Sequence, residues 1–308
     1  MVSDDSEFNT GVPIMRTLAF SPDGGILATG GNTRLVALWR VPDLSLLGVL
    51  DGHALGGVNC LTFSPDGSLL ASGGSDTTVS IWRVADWSLL HTLPGDGFFF
   101  SVYSLAFSPD GSLLASGTYG LNFENFPGIG FVPPAQLNLW RVSDGQLFWN
   151  RTNIDKSIRA LSFLADGKVL AVGNDYGDAP PGNIQFRRVS DGSLLCGFWG
   201  SWGVDESVEF RGPILDFQLT DNGSKILYAA APTLVLARTP LCIHEIMREE
   251  SRVVVRWFGG TPPFQLQQSR DLASGVWENV GPPATVRAAT NALNGGAVFY
   301  RVKSLSDP

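Results

Sequence analysis

Histidine and cysteine, which build most metal centres and many catalytic dyads, are scarce: the 308 residues contain three of each. Cys60, Cys196 and Cys242 lie far apart in apolar stretches, without the short spacing of a metal site. They read as separate, small buried side chains. Of the histidines, only His244 opens anything like a metal motif, in His244-Glu245-Ile246-Met247-Arg248. Arg248 stands where the second histidine of a zinc-protease helix belongs, and the segment alternates like a strand. Also missing are the Gly-x-Ser-x-Gly elbow, the phosphate-binding loop and a dinucleotide-type glycine fingerprint between a strand and a helix. No catalytic residue and no cofactor is expected, and the chain is expected not to be an enzyme.

Positive charge is short as well. Lys and Arg number 21 against 29 Asp and Glu, a net charge of -8, with an isoelectric point near 4.8. A nucleic-acid binder needs a basic stripe to neutralise phosphates, so DNA and RNA are poor partners. No apolar run approaches the roughly 18 residues of a membrane span, so membrane insertion is not expected. The first eleven residues are acidic and lack both the basic and the apolar parts of a secretory leader. As written, the sequence predicts a cytoplasmic protein; a truncated N-terminus would leave export open.

What is abundant is turn chemistry: 36 Gly and 19 Pro, set between short apolar runs as in an all-β chain. Phe20-Ser21-Pro22-Asp23-Gly24 returns as Phe63 to Gly67 and Phe107 to Gly111. It then decays to Phe163-Leu164-Ala165-Asp166-Gly167 and Leu219-Thr220-Asp221-Asn222-Gly223, at intervals of 43, 44, 56 and 56 residues. A period in the forties with several strands per unit is that of propeller blades, each buried by its neighbours. In every unit the third strand carries an alternating apolar pair: Val36 and Leu38, Val79 and Ile81, Leu137 and Leu139, Ile184 and Phe186, Leu234 and Leu236. The opposite phase reads Trp39, Trp82, Trp140, Arg187 and Ala237, so the last two units are expected to pack more loosely. A fourth strand is expected in the first four units and not in the fifth; residues 4–12 are the candidate to complete the ring.

These residues resemble the WD40 repeat family, whose units carry Gly-His, Ser-Pro-Asp-Gly and a Trp-Asp ending the third strand. The resemblance covers residues 14 to about 240. It departs in reading Trp-Arg at 39-40, 82-83 and 140-141, and in keeping Gly-His only at Gly52-His53. It implies a WD40-type β-propeller of about five recognisable blades, over residues 1–240. It also implies a structural hydrogen-bonded network of His53, Ser72, Asp76 and Trp82; the rival reading of His53 and Asp76 is an acid/base pair. After Pro240 six short alternating segments, 241–246, 252–258, 264–268, 277–280, 285–289 and 298–302, predict a small β-sandwich at residues 241–308. That sandwich resembles a fibronectin type III-like module, a type frequent on exported bacterial proteins.

The insertions fall in one class of connection, at 94–100, 118–136, 174–183 and 199–211. Their aromatics make the candidate binding set: Tyr119, Phe123, Phe126, Tyr176, Trp199 and Trp202, with Phe98, Phe99, Phe100 and Phe131 nearby. The rival reading has these rings plug the funnel. The loop Asn174-Asp175-Tyr176-Gly177-Asp178 offers oxygens for Ca²⁺ without EF-hand spacing, and reads better as a turn. A propeller enzyme would need His or carboxylates at channel-facing starts of first strands, and these read Ile14, Val58, Val102, Ile158 and Ile214. The expected function is a non-enzymatic interaction scaffold for a protein or peptide, with self-assembly if the ring is incomplete; a propeller hydrolase or dehydrogenase, or a glycan-binding module, is the alternative.

Overall fold

The computed structural model describes residues 14–95, 100–120, 135–154, 157–174, 184–198, 214–220, 225–230, 233–239, 241–249, 252–260, 262–270, 276–292 and 298–305. The fold is all-β: every regular element among the described residues is a strand. Two compact units divide the chain, residues 1–161 and 162–308.

Unit 1 holds three four-stranded antiparallel sheets, each with its strands in chain order. The first is β1 (Met15–Phe20), β2 (Ile26–Gly31), β3 (Leu35–Arg40) and β4 (Leu46–Asp51). The second is β5 (Val58–Phe63), β6 (Leu69–Gly74), β7 (Val79–Arg83) and β8 (Leu89–Leu93), and the third β9 (Phe100–Phe107), β10 (Leu113–Gly120), β11 (Ala135–Arg141) and β12 (Leu147–Ile154). The turn after each first strand explains why Ser-Pro-Asp-Gly recurs. The Ser64 hydroxyl donates to Asp66 Oδ1 at 2.6 Å, and the Ser68 amide donates to the same oxygen at 3.0 Å. Gly67 leaves the turn at φ +72°, a left-handed conformation that disfavours a Cβ. A second local signature closes the third-to-fourth hairpins: Arg83 meets Asp86, Arg141 meets Asp144 and Arg188 meets Asp191, each three residues on. The Arg of Trp-Arg thus has its own turn partner.

The sheets of unit 1 stack through two apolar clusters. Val36, Leu38 and Leu50 of the first sheet meet Leu61, Phe63, Leu70 and Trp82 of the second. Val79, Ile81 and Leu93 of the second meet Val102, Phe107, Leu114 and Trp140 of the third. Close approach is set by glycine: a Cβ at Gly30, Gly73 or Gly117 would fall inside the side chain of Val58, Val102 or Ile158.

The fourth sheet runs β13 (Ile158–Phe163), β14 (Val169–Asn174), β15 (Ile184–Arg188), β16 (Leu194–Phe198), with the division of the units falling within β13. A three-stranded sheet follows: β17 (Ile214–Thr220), β18 (Lys225–Ala230), β19 (Thr233–Arg238). The C-terminal strands are β20 (Cys242–Glu249), β21 (Arg252–Phe258), β22 (Phe264–Ser269), β23 (Glu278–Asn279), β24 (Ala288–Ala292) and β25 (Phe299–Ser304). They form sheets in the orders β20-β21-β24 and β23-β22-β25. Val253, Val255 and Trp257 of one sheet share a core with Phe264 and Leu266 of the other.

One expectation needs correction. Cys196 and Cys242 are not separate: they form a disulfide between β16 and β20 across 46 residues of sequence, and only Cys60 is a free, buried thiol. Strand pairing brings together cysteines that sequence distance keeps apart. In the fourth sheet Arg187 stands where the first three sheets have tryptophan. Arg187 is 9% exposed, its Nε and Nη2 donate to Gln185 Oε1 at 3.1 and 2.7 Å, and its Nη1 donates to the Gly192 carbonyl at 3.0 Å. The guanidinium fills the tryptophan's place because its donors find partners within its own sheet. Residues 4–12 lie outside the described residues.

Candidate functional site

The second sheet contains a buried polar chain. Trp82 Nε1 donates to Ser72 Oγ at 3.2 Å, Ser72 Oγ lies 2.9 Å from His53 Nε2, and His53 Nδ1 lies 3.0 Å from Asp76 Oδ1. Asp76 also accepts from the Ala54 amide at 2.7 Å and the Thr78 hydroxyl at 2.9 Å. Burial of Asp76 opposes ionisation, but the hydrogen bond and charge of His53, with the Thr78 and Ala54 donors, outweigh it and hold the carboxyl below its usual range. His53 Nδ1 thus faces the carboxylate of Asp76, and Nε2 faces the Ser72 hydroxyl. Both His53 nitrogens are then occupied and the ring is 2% exposed, an arrangement that rigidifies a sheet rather than offering a base to substrate. Only the tryptophan end recurs: Trp39 Nε1 donates to Thr29 Oγ1 at 2.8 Å, and Trp140 Nε1 to Ser116 Oγ at 2.9 Å.

A different set of side chains converges at the starts of the first strands. Val58, Val102 and Ile158 point to the preceding sheet, against its glycine. The next residue is the unpaired one of a β-bulge in the first three sheets, which gives Arg16, Asn59 and Tyr103 the same place in their strands, and Arg159 likewise follows Ile158. The expectation that these starts present Ile14, Val58, Val102, Ile158 and Ile214 to a channel is therefore corrected for Val58, Val102 and Ile158 by one residue of phase. Arg16 Nη1 donates to Asn59 Oδ1 at 3.1 Å; Asn59 Nδ2 donates to Ser75 Oγ at 3.1 Å and to the Val102 carbonyl at 3.3 Å. Tyr119, at the end of β10 and bridged to Ser157, packs its ring 5.2 Å from that of Tyr103. The Arg159 guanidinium lies over both, 5.4 Å from the Tyr103 centroid and 4.8 Å from that of Tyr119. Arg16 is exposed, whereas Tyr103, Tyr119 and Arg159 are half-buried.

Of the aromatic candidates, Tyr119 is thus placed in this set. Phe123, Phe126, Tyr176, Trp199 and Trp202 lie outside the described residues, as do Phe98, Phe99, Phe131 and Asp175 to Asp178. The sequence reading missed Arg16, Asn59, Tyr103 and Arg159, although Asn59, Tyr103 and Arg159 each directly follow one of the aliphatics Val58, Val102 and Ile158. In unit 2, His244 Nε2 lies 3.3 Å from Asp166 Oδ2, and Glu245 pairs with Lys168 at 2.8 Å and Arg256 at 3.2 Å. Among the described residues no group of three or more His, Cys, Asp or Glu could hold a metal ion, and no helix is long and apolar enough to cross a membrane.

A sequence model of the family described as WD domain, G-beta repeat matches residues 9–40, 44–83 and 87–121. These three stretches, together less than half of the chain, are similar to WD40 repeats. The second match joins β4 of the first sheet to β5, β6 and β7 of the second, and the third joins β8 of the second sheet to β9 and β10 of the third, so each of these two matches straddles two sheets. No curated protein matches the chain.

Proposed function

We propose that the chain is a non-enzymatic interaction module whose repeats hold one loop face rigid for a protein or peptide partner, with residues 241–308 as a fibronectin type III-like sandwich that positions it. WD40 repeats typically mediate protein–protein contacts, and that supports the class of function. The observation that carries the reading is the Tyr103–Tyr119–Arg159 stack, which sets large, rigid rings and a planar cation at the strand ends from which connections such as 121–134 leave. A rigid aromatic anchor loses little entropy on binding, and the second sheet packed against the third supports the backbone of β9 and β10. The Cys196–Cys242 bond supports work in an oxidising compartment over the cytoplasm.

A random-peptide display library selected on the immobilised full chain tests the face. Selected peptides should lose binding by about 2 kcal/mol, or roughly thirtyfold, to Tyr103→Ala or Tyr119→Ala, with the thermal midpoint nearly unchanged. Peptides that bind both variants as well as the parent would move the binding face elsewhere.

A further inference from the structure

We infer that the Cys196–Cys242 bond is a redox-controlled clasp: closed, it holds the β20–β21 hairpin over the fourth sheet, and its reduction by an external dithiol lets the two C-terminal sheets leave while still folded. In unit 1 the alternating pairs of β3 and β7 are covered by the following sheet. Val36 and Leu38 meet Phe63, Leu70 and Trp82, and Val79 and Ile81 meet Phe107, Leu114 and Trp140. The matching pair of the fourth sheet, Ile184 and Phe186, is fully buried as well. There the Phe186 ring lies 4.9 Å from that of Phe258, at the end of β21. A ring of the C-terminal sheets thus shares in the cover that a following sheet gives elsewhere, and both rings belong to one compact unit, residues 162–308.

Polar links border this contact. The register of β20 on β21 slips between Ile243 and Glu245, and the extra residue of that bulge, His244, meets Asp166 of the β13–β14 hairpin at 3.3 Å. Glu245 meets Lys168 of the same hairpin at 2.8 Å. The Asp166 and Lys168 side chains are almost half exposed, so water and salt screen both pairs and they hold little by themselves. The covalent bond is therefore the main tie. It is also placed for exchange: β16 ends its sheet and Cys196 is half-buried, whereas Cys242 is buried. A thiolate of the dithiol attacks Cys196 Sγ to form a mixed disulfide, and Cys242 leaves as a thiolate that takes up a proton. The second thiol of the dithiol then attacks its own sulfur in the mixed disulfide, and Cys196 leaves and is protonated. Two electrons and two protons pass to the protein, and the dithiol ends as a disulfide.

Side-chain footprinting by hydroxyl radicals on the full chain decides this. The parent is treated with dithiothreitol in native buffer, alkylated with iodoacetamide and freed of reductant before labelling. Mass spectrometry should find Cys196 and Cys242 alkylated and Cys60, a buried thiol, unmodified. Labelling of Phe186 and Phe258 should rise by about fivefold as their contact opens. Trp257 and Phe264, a ring pair inside the C-terminal sheets, and Trp82 in unit 1 should stay at the level of the untreated parent. A Cys196→Ser, Cys242→Ser variant should give the same pattern without reductant and no further change with it. Phe186 and Phe258 that stay protected after both cysteines are alkylated would overturn the clasp, because the contact would hold without the bond. Trp257 and Phe264 rising together with Phe258 would overturn it as well, since the bond would then be needed for the C-terminal sheets to fold. Cysteines 196 and 242 that react only in denaturant would overturn the redox control.

Discussion

Leu18 and Phe20 of the first sheet occupy the same positions as Leu61 and Phe63 of the second, yet they are 62% and 56% exposed where Leu61 and Phe63 are each 8%. Strand register extends the correspondence across the sheet. Phe20, Leu27, Trp39 and Leu46 stand opposite one another in sequence, as do Phe63, Leu70, Trp82 and Leu89 in the second sheet. In the second sheet most of this row enters the cluster against Val36, Leu38 and Leu50. In the first sheet Leu27 and Trp39 are only half-buried, whereas Leu70 and Trp82 are buried. A repeat therefore specifies which residues face a neighbour, while burial itself depends on what the neighbour is. Any stability assigned to a repeat position has to be assigned sheet by sheet.

The largest expected effect sharpens that comparison at the tryptophan. Trp82→Ala opens a cavity between two sheets and removes the indole donor from Ser72, for a cost of about 3–5 kcal/mol. Trp39→Ala, at a half-buried ring, should cost about 1–2 kcal/mol. Denaturant midpoints at constant slope measure both. Equal losses would mean that Trp39 is as enclosed as Trp82. The leucine pair is cleaner, because no hydrogen bond is involved: Leu61→Ala is expected to cost about 2–5 kcal/mol, and Leu18→Ala under about 0.5 kcal/mol. Should Leu18→Ala prove as costly as Leu61→Ala, the outer face of the first sheet is covered in solution and the contrast disappears.

How much of this was legible from the residues depended on how local the cause was. Ser-Pro-Asp-Gly declared its hairpins because the Ser, Asp and Gly that make the turn are adjacent in sequence. The same is true of Arg-Val-x-Asp after the third strands, which recurs at Arg40, Arg83, Arg141 and Arg188. The all-β class followed from period-two alternation. The starts of the first strands failed on phase: one residue of slip turns Asn59, Tyr103 and Arg159 into the aliphatics Val58, Val102 and Ile158. The Cys196–Cys242 pairing was invisible because it depends on which strands lie side by side, and local spacing carries no trace of that.

The disulfide sets a second contrast, since unit 1 has among its described residues only Cys60, whose thiol is pushed far up by burial and stays neutral. A bond closing 46 residues restricts the unfolded chain, so a Cys196→Ala, Cys242→Ala variant should be less stable in unit 2 by about 2–4 kcal/mol. Reduction of the parent should reproduce the loss, with no change in the unfolding of unit 1. A parent whose melt ignores reductant, together with three titratable thiols under denaturant, would remove the bond from the protein as it exists in solution.

A last comparison isolates the part of the polar chain that the second sheet has and the first and third lack. Asp76→Asn keeps the size of the side chain and an acceptor for the Ala54 or Thr78 donors, but gives up the carboxylate facing His53 Nδ1. At neutral pH the cost should be about 1–3 kcal/mol, the range of a buried charge-assisted bond. Its pH dependence identifies the cause. The carboxyl is held below its ordinary value in the fold, so as pH falls the unfolded chain takes up the proton first. The contribution is complete above the ordinary aspartate value of about 3.9 and is lost as pH drops through the lower folded value. The gap between parent and Asp76→Asn should accordingly be constant from pH 5 to 7 on this scale and narrow in more acidic solution. A His53→Ala, Asp76→Asn cycle should show coupling at neutral pH. A gap that persists unchanged into acid, or a cycle without coupling, would mean that Asp76 acts only as a local turn acceptor for Thr78, as Asp66 does for Ser68, and that the second sheet owes its rigidity to the Trp82–Ser72 bond it shares in kind with its neighbours.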